Sequence, residues 1–498
     1  MSENARTVAA VDLGSNSFHL VVARIVDGHL EIIDRIKEMV RLASGLDDKK
    51  NLSAEATERA LACLERFGQR LRDYDAGDVI AVGTNTLRSA RGAEAFLEQA
   101  EEKLGHPIDI ISGIEEARLV YQGVSHSLEH AADTRLVLDI GGGSTECIIG
   151  NQQTPQWMES LYMGCVSFSK RFLPDGEITA KKFKRAVLAA RVELEPHESR
   201  FGKQHWDEAV GTSGTIRAVA EVLLQQGWSD RGISLDGLET LAEYLVKAGH
   251  YKNFALAGLN KERAPVFAGG VAILKALFEA FGIERMRVAS GALREGTLID
   301  LLGRLRHDDI RERTVQRLIE RFTLDAKQAQ RVRETACYLF DLVEGEWKLK
   351  PAEKDMLCWA AQIHELGLTI AHSQYHKHGA YILGNADLSG FSRHEQEFLA
   401  ILVRAHRRKF PVAEMETVSS PWKRRRLQLA VLLRLAVLLR RSRSDMQLSV
   451  ITVDAGKKSL SITLPGEWLA DHPLTQCDLE EEANLLGAAG FELDVVSS

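Results

Sequence analysis

The chain is short of paired cysteines, of long apolar runs and of aromatics among its basic blocks. Its six cysteines, Cys63, Cys147, Cys165, Cys337, Cys358 and Cys477, include no close pair of the C-x-x-C kind. That excludes a cysteine-built zinc site and predicts reduced thiols. The longest apolar run, Leu427 to Leu439, is broken by Arg434 and falls short of the roughly 20 residues a membrane span needs. The start of the chain carries Glu3 and Arg6 and no basic segment followed by a long apolar core, so a secretory leader is not expected. Together these absences predict a cytoplasmic protein and leave peripheral contact with a membrane open. A formal net charge of −7 argues against nucleic acid as a partner of the whole chain. What is present is ordinary for globular protein, 45% hydrophobic and 27% charged residues over 498 positions, enough for roughly three domains.

Against that background one stretch stands out. An apolar run, Leu136-Val137-Leu138, enters Asp139-Ile140-Gly141-Gly142-Gly143-Ser144-Thr145-Glu146 and leaves through Cys147-Ile148-Ile149. Strand, glycine turn and strand let backbone N–H groups approach a small anion, with Ser144 and Thr145 as hydroxyl donors. Asp139, at the strand end, suits a carboxylate that holds Mg²⁺ beside a phosphate. Taken alone the stretch reads equally well as a plain glycine hairpin. The same grammar recurs near the start: Val8 to Val11, then Asp12-Leu13-Gly14-Ser15-Asn16-Ser17, then Phe18 to Ala23. Two copies predict a duplicated fold with one phosphate loop from each half.

Further strand ends carry matching features. Asp78 to Gly83 runs into Thr84-Asn85-Thr86-Leu87-Arg88, where an arginine fork suits phosphate. Ile108 to Ile111 runs into Ser112-Gly113-Ile114-Glu115-Glu116, with two acids opening a helix. Capping accounts for Glu115, whereas Glu116 is placed to act as a general base toward an in-line water. Met163 to Phe168 is expected to end another strand. Gly211-Thr212-Ser213-Gly214-Thr215 and Ser290-Gly291-Ala292-Leu293-Arg294-Glu295-Gly296 make a third and a fourth small-residue loop. Strand, loop and helix repeating in this way predict an α/β architecture with its site at strand ends. Hairpins are expected at Asp27-Gly28 and, near the C-terminus, between Leu448–Asp454 and Leu460–Leu464.

From about Arg304 to Arg443 helical periodicity dominates. His364-Glu365, His372, His376, His378 and His406 lie there, read as surface or packed side chains because acidic metal ligands are missing. The end of this module is basic: Arg407, Arg408 and Lys409, then Lys423, Arg424, Arg425 and Arg426, then Arg434 to Arg443. Such blocks form either a solvated face or a track for a long polyanion. Only Phe410 and Trp422 are interleaved, which argues against base-stacking recognition of single strands.

Four motifs in order, Asp12 to His19, Ser112 to Leu119, Asp139 to Glu146 and Ser290 to Gly296, resemble the exopolyphosphatase/guanosine pentaphosphate phosphatase family of the actin-like superfamily. The resemblance implies duplicated actin-like (ribonuclease H-like) α/β domains at 1–131 and 132–303, an all-α HD-like domain without its metal at 304–445, and a small α+β domain at 446–498. It implies a catalytic glutamate at Glu116 and metal acids at Asp139 and Glu146. Substrate contacts fall at Ser15, Asn16, Arg88, Gly141, Gly142, Gly143, Ser144, Gly214, Thr215 and Arg294. It further implies Mg²⁺ or another divalent cation, a homodimer, and a basic channel onto which Arg407 to Lys409 and Lys423 to Arg426 map. The expected activity is release of terminal orthophosphate from inorganic polyphosphate. The alternatives are conversion of guanosine pentaphosphate to tetraphosphate, or a regulator that binds either anion without turnover.

Overall fold

A computed structural model describes residues 6–26, 29–47, 49–128, 133–306, 308–418, 422–444 and 451–497. The chain divides into two compact units, Met1–Asp308 and Asp309–Ser498.

The first unit holds two sheets built by one rule. In the first, β1 (Thr7–Leu13), β2 (Phe18–Val26) and β3 (His29–Glu38) form an antiparallel meander, and β4 (Val79–Gly83) and β5 (Ile108–Ile110) add in parallel beside β1. In the second, β6 (Thr134–Ile140), β7 (Thr145–Asn151) and β8 (Thr154–Leu161) repeat the meander. There β9 (Glu208–Thr212) and β11 (Arg285–Val288) are the parallel additions, and β10 (Ile233–Ser234) forms the edge. The central strands are near-continuous apolar runs because helices cover both faces. The duplication expected from the two glycine loops is therefore present in strand order and direction alike.

Two helices connect this frame to the chemistry. Gly113–Ser127 starts at Ser112, whose hydroxyl accepts from the Glu115 N–H at 3.1 Å, a cap of roughly 1 kcal/mol. It crosses Leu293–Leu305 at glycines: a Cβ on Gly296 would lie 1.8 Å from the Leu119 carbonyl oxygen, and one on Gly123 would lie 2.1 Å from that of Ala292. Only glycine permits so close a crossing. Arg118, buried between Glu115 and Asp300, fastens it. The most apolar long helix is Ala264–Phe281, not the run at 427–439. It lies in the core of the second lobe between Pro265 and the left-handed Gly282.

The second unit packs helices from Ile310–Arg321 to Arg426–Leu439 against a three-stranded sheet, β12 (Thr452–Ala455), β13 (Ser459–Leu464) and β14 (Glu492–Ser497), around one core. Several expectations need correction. The segment after β8 does not continue as strand: Gly164 caps the Cys165–Phe172 helix, because β8 already ends at Leu161. The boundary expected at 303/304 falls inside the Leu293–Leu305 helix, and the first unit reaches Asp308. Cys337 and Cys358 are not reduced thiols but a disulfide joining the Ala326–Trp347 and Pro351–Ile363 helices, whose packing spacing alone did not reveal. Cys63, Cys147 and Cys165 are free and buried, and Cys477 is free and exposed. The Asp27-Gly28 turn and residues 448–450 of the C-terminal hairpin lie outside the described residues.

Candidate active site

The two glycine loops face one another. Loop 14–17 joins β1 to β2, and loop 141–144 joins β6 to β7. A Cβ on Gly142 would lie 3.0 Å from Ser15 Cβ and 3.8 Å from Asn16 Cβ, and one on Gly143 would lie 2.5 Å from Asn85 Oδ1. Gly164 is glycine for the same reason: a Cβ there would stand 2.4 Å from the Gly142 and Gly143 backbone. Backbone hydrogen bonds Arg41 N–H to Asn16 and Ala43 N–H to Ser15 hold the first loop, and Cys165 N–H to Gly141 and Val166 N–H to Gly142 hold the second. The Ser15 hydroxyl accepts from Thr86 at 2.8 Å.

Four carboxylates gather near these loops. Asp139 and Glu146 are direct partners in the β6–β7 register. Asp12 occupies on β1 the place Asp139 occupies on β6. Burial is the largest cause of a raised pKa in each, and mutual repulsion adds to it. Asp12 and Asp139 rise to about 7, and Glu146 stands well above the usual carboxylate range. Ser160 donates to Glu146 Oε1 at 2.9 Å, while Asp12 Oδ1 is buried with no hydrogen-bond partner. Glu116 is also raised by burial, and the Arg88 guanidinium, 3.3 Å from its Oε2, pulls it back. Arg88 is itself fixed by a 2.7 Å hydrogen bond to the Ile111 carbonyl.

A cationic wall stands beside these acids. Arg294 donates to His19 Nδ1 at 2.9 Å. Burial first, and then mutual repulsion, lowers the pKa of Lys37 and Arg217; Arg263 is lowered by burial. Excess positive charge beside phosphate-type loops is what a multiply charged anion would neutralise. Among the described residues no three His, Cys, Asp or Glu side chains are spaced to hold a metal by themselves. That still suits Mg²⁺, which takes one or two carboxylates and fills its shell with water and phosphate oxygens. Orphaned Asp12 Oδ1 and the mutually repelling Asp139 and Glu146 are the donors that fit.

Family models match along nearly the whole length: the Ppx/GppA phosphatase family over residues 21–305 and the Ppx/GppA phosphatase domain III over 310–483. The chain belongs to the Ppx/GppA phosphatase family. It is 41% identical over 489 residues to a guanosine-5'-triphosphate,3'-diphosphate pyrophosphatase of Vibrio cholerae serotype O1, covering 98% of this chain and 97% of that one. The like-named protein of Aeromonas hydrophila is 40% identical over 480 residues, covering 96% of each. Among solved structures, an exopolyphosphatase from Cytophaga hutchinsonii is similar with a TM-score of 0.55 and 26% identity, spanning 60% of this chain and 98% of that one. The Aquifex aeolicus PPX-GPPA enzyme gives 0.50 and 27%, spanning 59% and 98%.

On this Ppx/GppA frame, Ser15, Asn16, Arg88, Glu116, Asp139, Gly141, Gly142, Gly143, Ser144, Glu146 and Arg294 come together. Gly214 faces Arg263, and Thr215, in the first turn of its helix, turns its side chain toward Cys165 and Gly270. Ser213, at φ 83°, takes a left-handed conformation unfavourable for a side-chain-bearing residue. Sequence reasoning missed Asp12 as a site acid, together with His19, Lys37, Arg217 and Arg263. Lys37 had no legible signal: it faces His19 only because the β2–β3 register shifts between Val22 and Ala23.

In the second unit the expected anion track is only partly free. Arg425 is buried against Glu353 and the Lys348 carbonyl, and Arg426 pairs with Glu416. Arg407 stacks over Tyr375, Arg408 has a left-handed backbone, and Lys409 is exposed. Lys423 and Arg424 line a cavity of about 620 Å³ together with Lys348, Lys457 and Lys458. His364, His376 and His406 are packed together, with His364 and His406 bonded to backbone carbonyls; burial lowers all three.

Proposed function

We propose that this phosphatase removes the terminal phosphate of guanosine pentaphosphate, giving the tetraphosphate. The observation that carries the choice of substrate is the likeness over nearly full length to two proteins named for that reaction. The wall of Lys37, Arg217, Arg263 and Arg294 supports it, because a substrate with phosphates at both ends of its sugar brings more charge than one loop pair neutralises. Inorganic polyphosphate, placed first from the sequence, becomes the second reading. Its support is now the cavity lined by Lys348, Lys423, Arg424, Lys457 and Lys458 rather than the whole run of basic residues.

The reaction is in-line hydrolysis. The terminal phosphate lies between loops 14–17 and 141–144, where backbone N–H groups and the Ser15 and Ser144 hydroxyls meet its oxygens. Glu116 orients a water and accepts its proton as the new P–O bond forms. The bridging P–O bond breaks, and the shortened phosphate chain leaves with the electron pair. Burial raises Glu116 and Arg88 moderates it, which moves a carboxylate toward the range a base at neutral pH requires. Mg²⁺, when held by Asp139 and Glu146 with Asp12 beside them, supplies charge neutralisation on the phosphate oxygens. The test compares kcat/KM for guanosine pentaphosphate and for long-chain polyphosphate, with and without Mg²⁺. A clear preference for pentaphosphate is expected; a preference for polyphosphate reverses the order of the two readings, and binding of either without turnover removes both.

A further inference from the structure

Ser17 closes the first glycine loop immediately before β2. Its Oγ lies 2.8 Å from His19 Nε2, and His19 Nδ1 lies 2.9 Å from Arg294 Nη1. These two distances fix the protons. A guanidinium has donors only, so Nδ1 accepts. A neutral imidazole that accepts at Nδ1 carries its proton on Nε2 and donates it to Ser17 Oγ. Ser17 therefore receives one hydrogen bond from the ring and keeps its own O–H to give away. That O–H has no acceptor among the described residues. The arrangement withstands acid: burial, then the charges of Arg294, Lys37, Arg217 and Arg263, push His19 down to about 3.

We propose that Arg294 and His19 lock Ser17 as a hydrogen-bond donor to an oxygen of the phosphoryl group being removed. Ser17 touches substrate; His19 acts through it as a positioning residue. The inference rests on the reading above that the phosphate end lies between the two glycine loops. Without the ring, the Ser17 hydroxyl is free to turn its lone pairs toward the phosphate, which repels it, and the donor is lost for part of the time. The equivalent position of the other lobe is Glu146, which accepts from Ser144 and Ser160, so no ring there holds a loop hydroxyl as an outward donor.

The experiment is a double-mutant cycle on the full chain, measuring kcat and KM for phosphate release from guanosine pentaphosphate with Ser17→Ala, His19→Ala, both together, and His19→Gln. Glutamine keeps an amide N–H near the place of Nε2. Each alanine variant is expected to lower kcat/KM by roughly 10- to 100-fold, the span of a hydrogen bond to a charged group. The pair should fall no more than about 3-fold below Ser17→Ala alone, since the ring has nothing left to orient. His19→Gln should recover most of what His19→Ala loses. Multiplying losses, a silent Ser17→Ala, or a His19→Gln as poor as His19→Ala would each overturn the proposal. Glu116→Gln run in parallel separates the two layers: if it retains full rate, the catalytic reading fails on its own, while the cycle still decides whether Ser17 and His19 act as a unit.

Discussion

Asp139 is the side chain whose perturbation reports most directly on the site. Burial, with Glu116 adding to it, raises its pKa from 3.8 to about 7. The native state therefore keeps a proton there that the unfolded chain has already released. A raised carboxylate favours the folded state at low pH, and that contribution falls as pH climbs from about 4 to about 7, then levels off. The whole span is about three pK units at 1.36 kcal/mol each, so about 4 kcal/mol at most, because coupled acids share it. Between about pH 5.5 and about pH 8 the wild type loses about 1.5 of those units, roughly 2 kcal/mol. Asp139→Asn, neutral and of the same shape, loses none of it. Urea denaturation at both pH values without divalent metal measures the difference. The variant should gain roughly 2 kcal/mol on the wild type on going from the lower pH to the higher. Mg²⁺ added at the higher pH should then stabilise the wild type and leave the variant nearly unmoved. A difference that does not change with pH, or one that changes in the opposite sense, refutes the charge-burial argument. Equal stabilisation by Mg²⁺ refutes Asp139 as its ligand.

Three further outcomes follow from the same geometry. Glu116→Gln should lower kcat by about 10²- to 10⁴-fold with little change in KM, the usual span for loss of a general base; steady-state phosphate release measures it, and an unchanged kcat removes Glu116 from the role. Gly164→Ala should harm activity more than Gly142→Ala, because its Cβ meets loop backbone at 2.4 Å whereas that of Gly142 meets a serine side-chain carbon at 3.0 Å; kinetics of the two variants check the order. Reversing Lys423 and Lys457 to glutamate should raise KM for polyphosphate in a salt-dependent way and leave that for guanosine pentaphosphate within about 2-fold, since exposed cations act mainly through screened long-range attraction. Parallel titrations at two ionic strengths decide it.

What could be read from the sequence was whatever the backbone itself demands. A phosphate loop needs residues without side chains, so the glycines at 14 and 141–143 announce themselves, and an antiparallel hairpin of fixed length puts Asp139 opposite Glu146 without any tertiary information. Glu116 could be separated from Glu115 only in part. The structure shows that Glu115 serves Arg118 and the helix crossing rather than capping alone. Arg294 stood out through its motif, but the rest of the cationic wall was illegible because Lys37, Arg217 and Arg263 come from a strand and two helix starts far apart in the chain, each in an ordinary local setting. The basic blocks misled for the opposite reason. Counting charges ignores partners, and Arg425, Arg426, Arg434, Arg441 and Arg443 all have acidic ones, Glu353, Glu416, Glu482, Asp478 and Asp325.

The duplication would let one site hold a polyanion and a cation at once, as the proposed reaction requires. The two lobes share a register, in which Asp12 faces His19 and Asp139 faces Glu146. An acid in place of His19 would add a fifth carboxylate to Asp12, Glu116, Asp139 and Glu146 and work against an incoming phosphate. Had both lobes kept a histidine, the metal would lack its acids. With histidine in one lobe and glutamate in the other, the first strand pair offers Arg294 a hydrogen-bond acceptor, while the second holds an acid that would carry its negative charge once a bound cation displaced the proton.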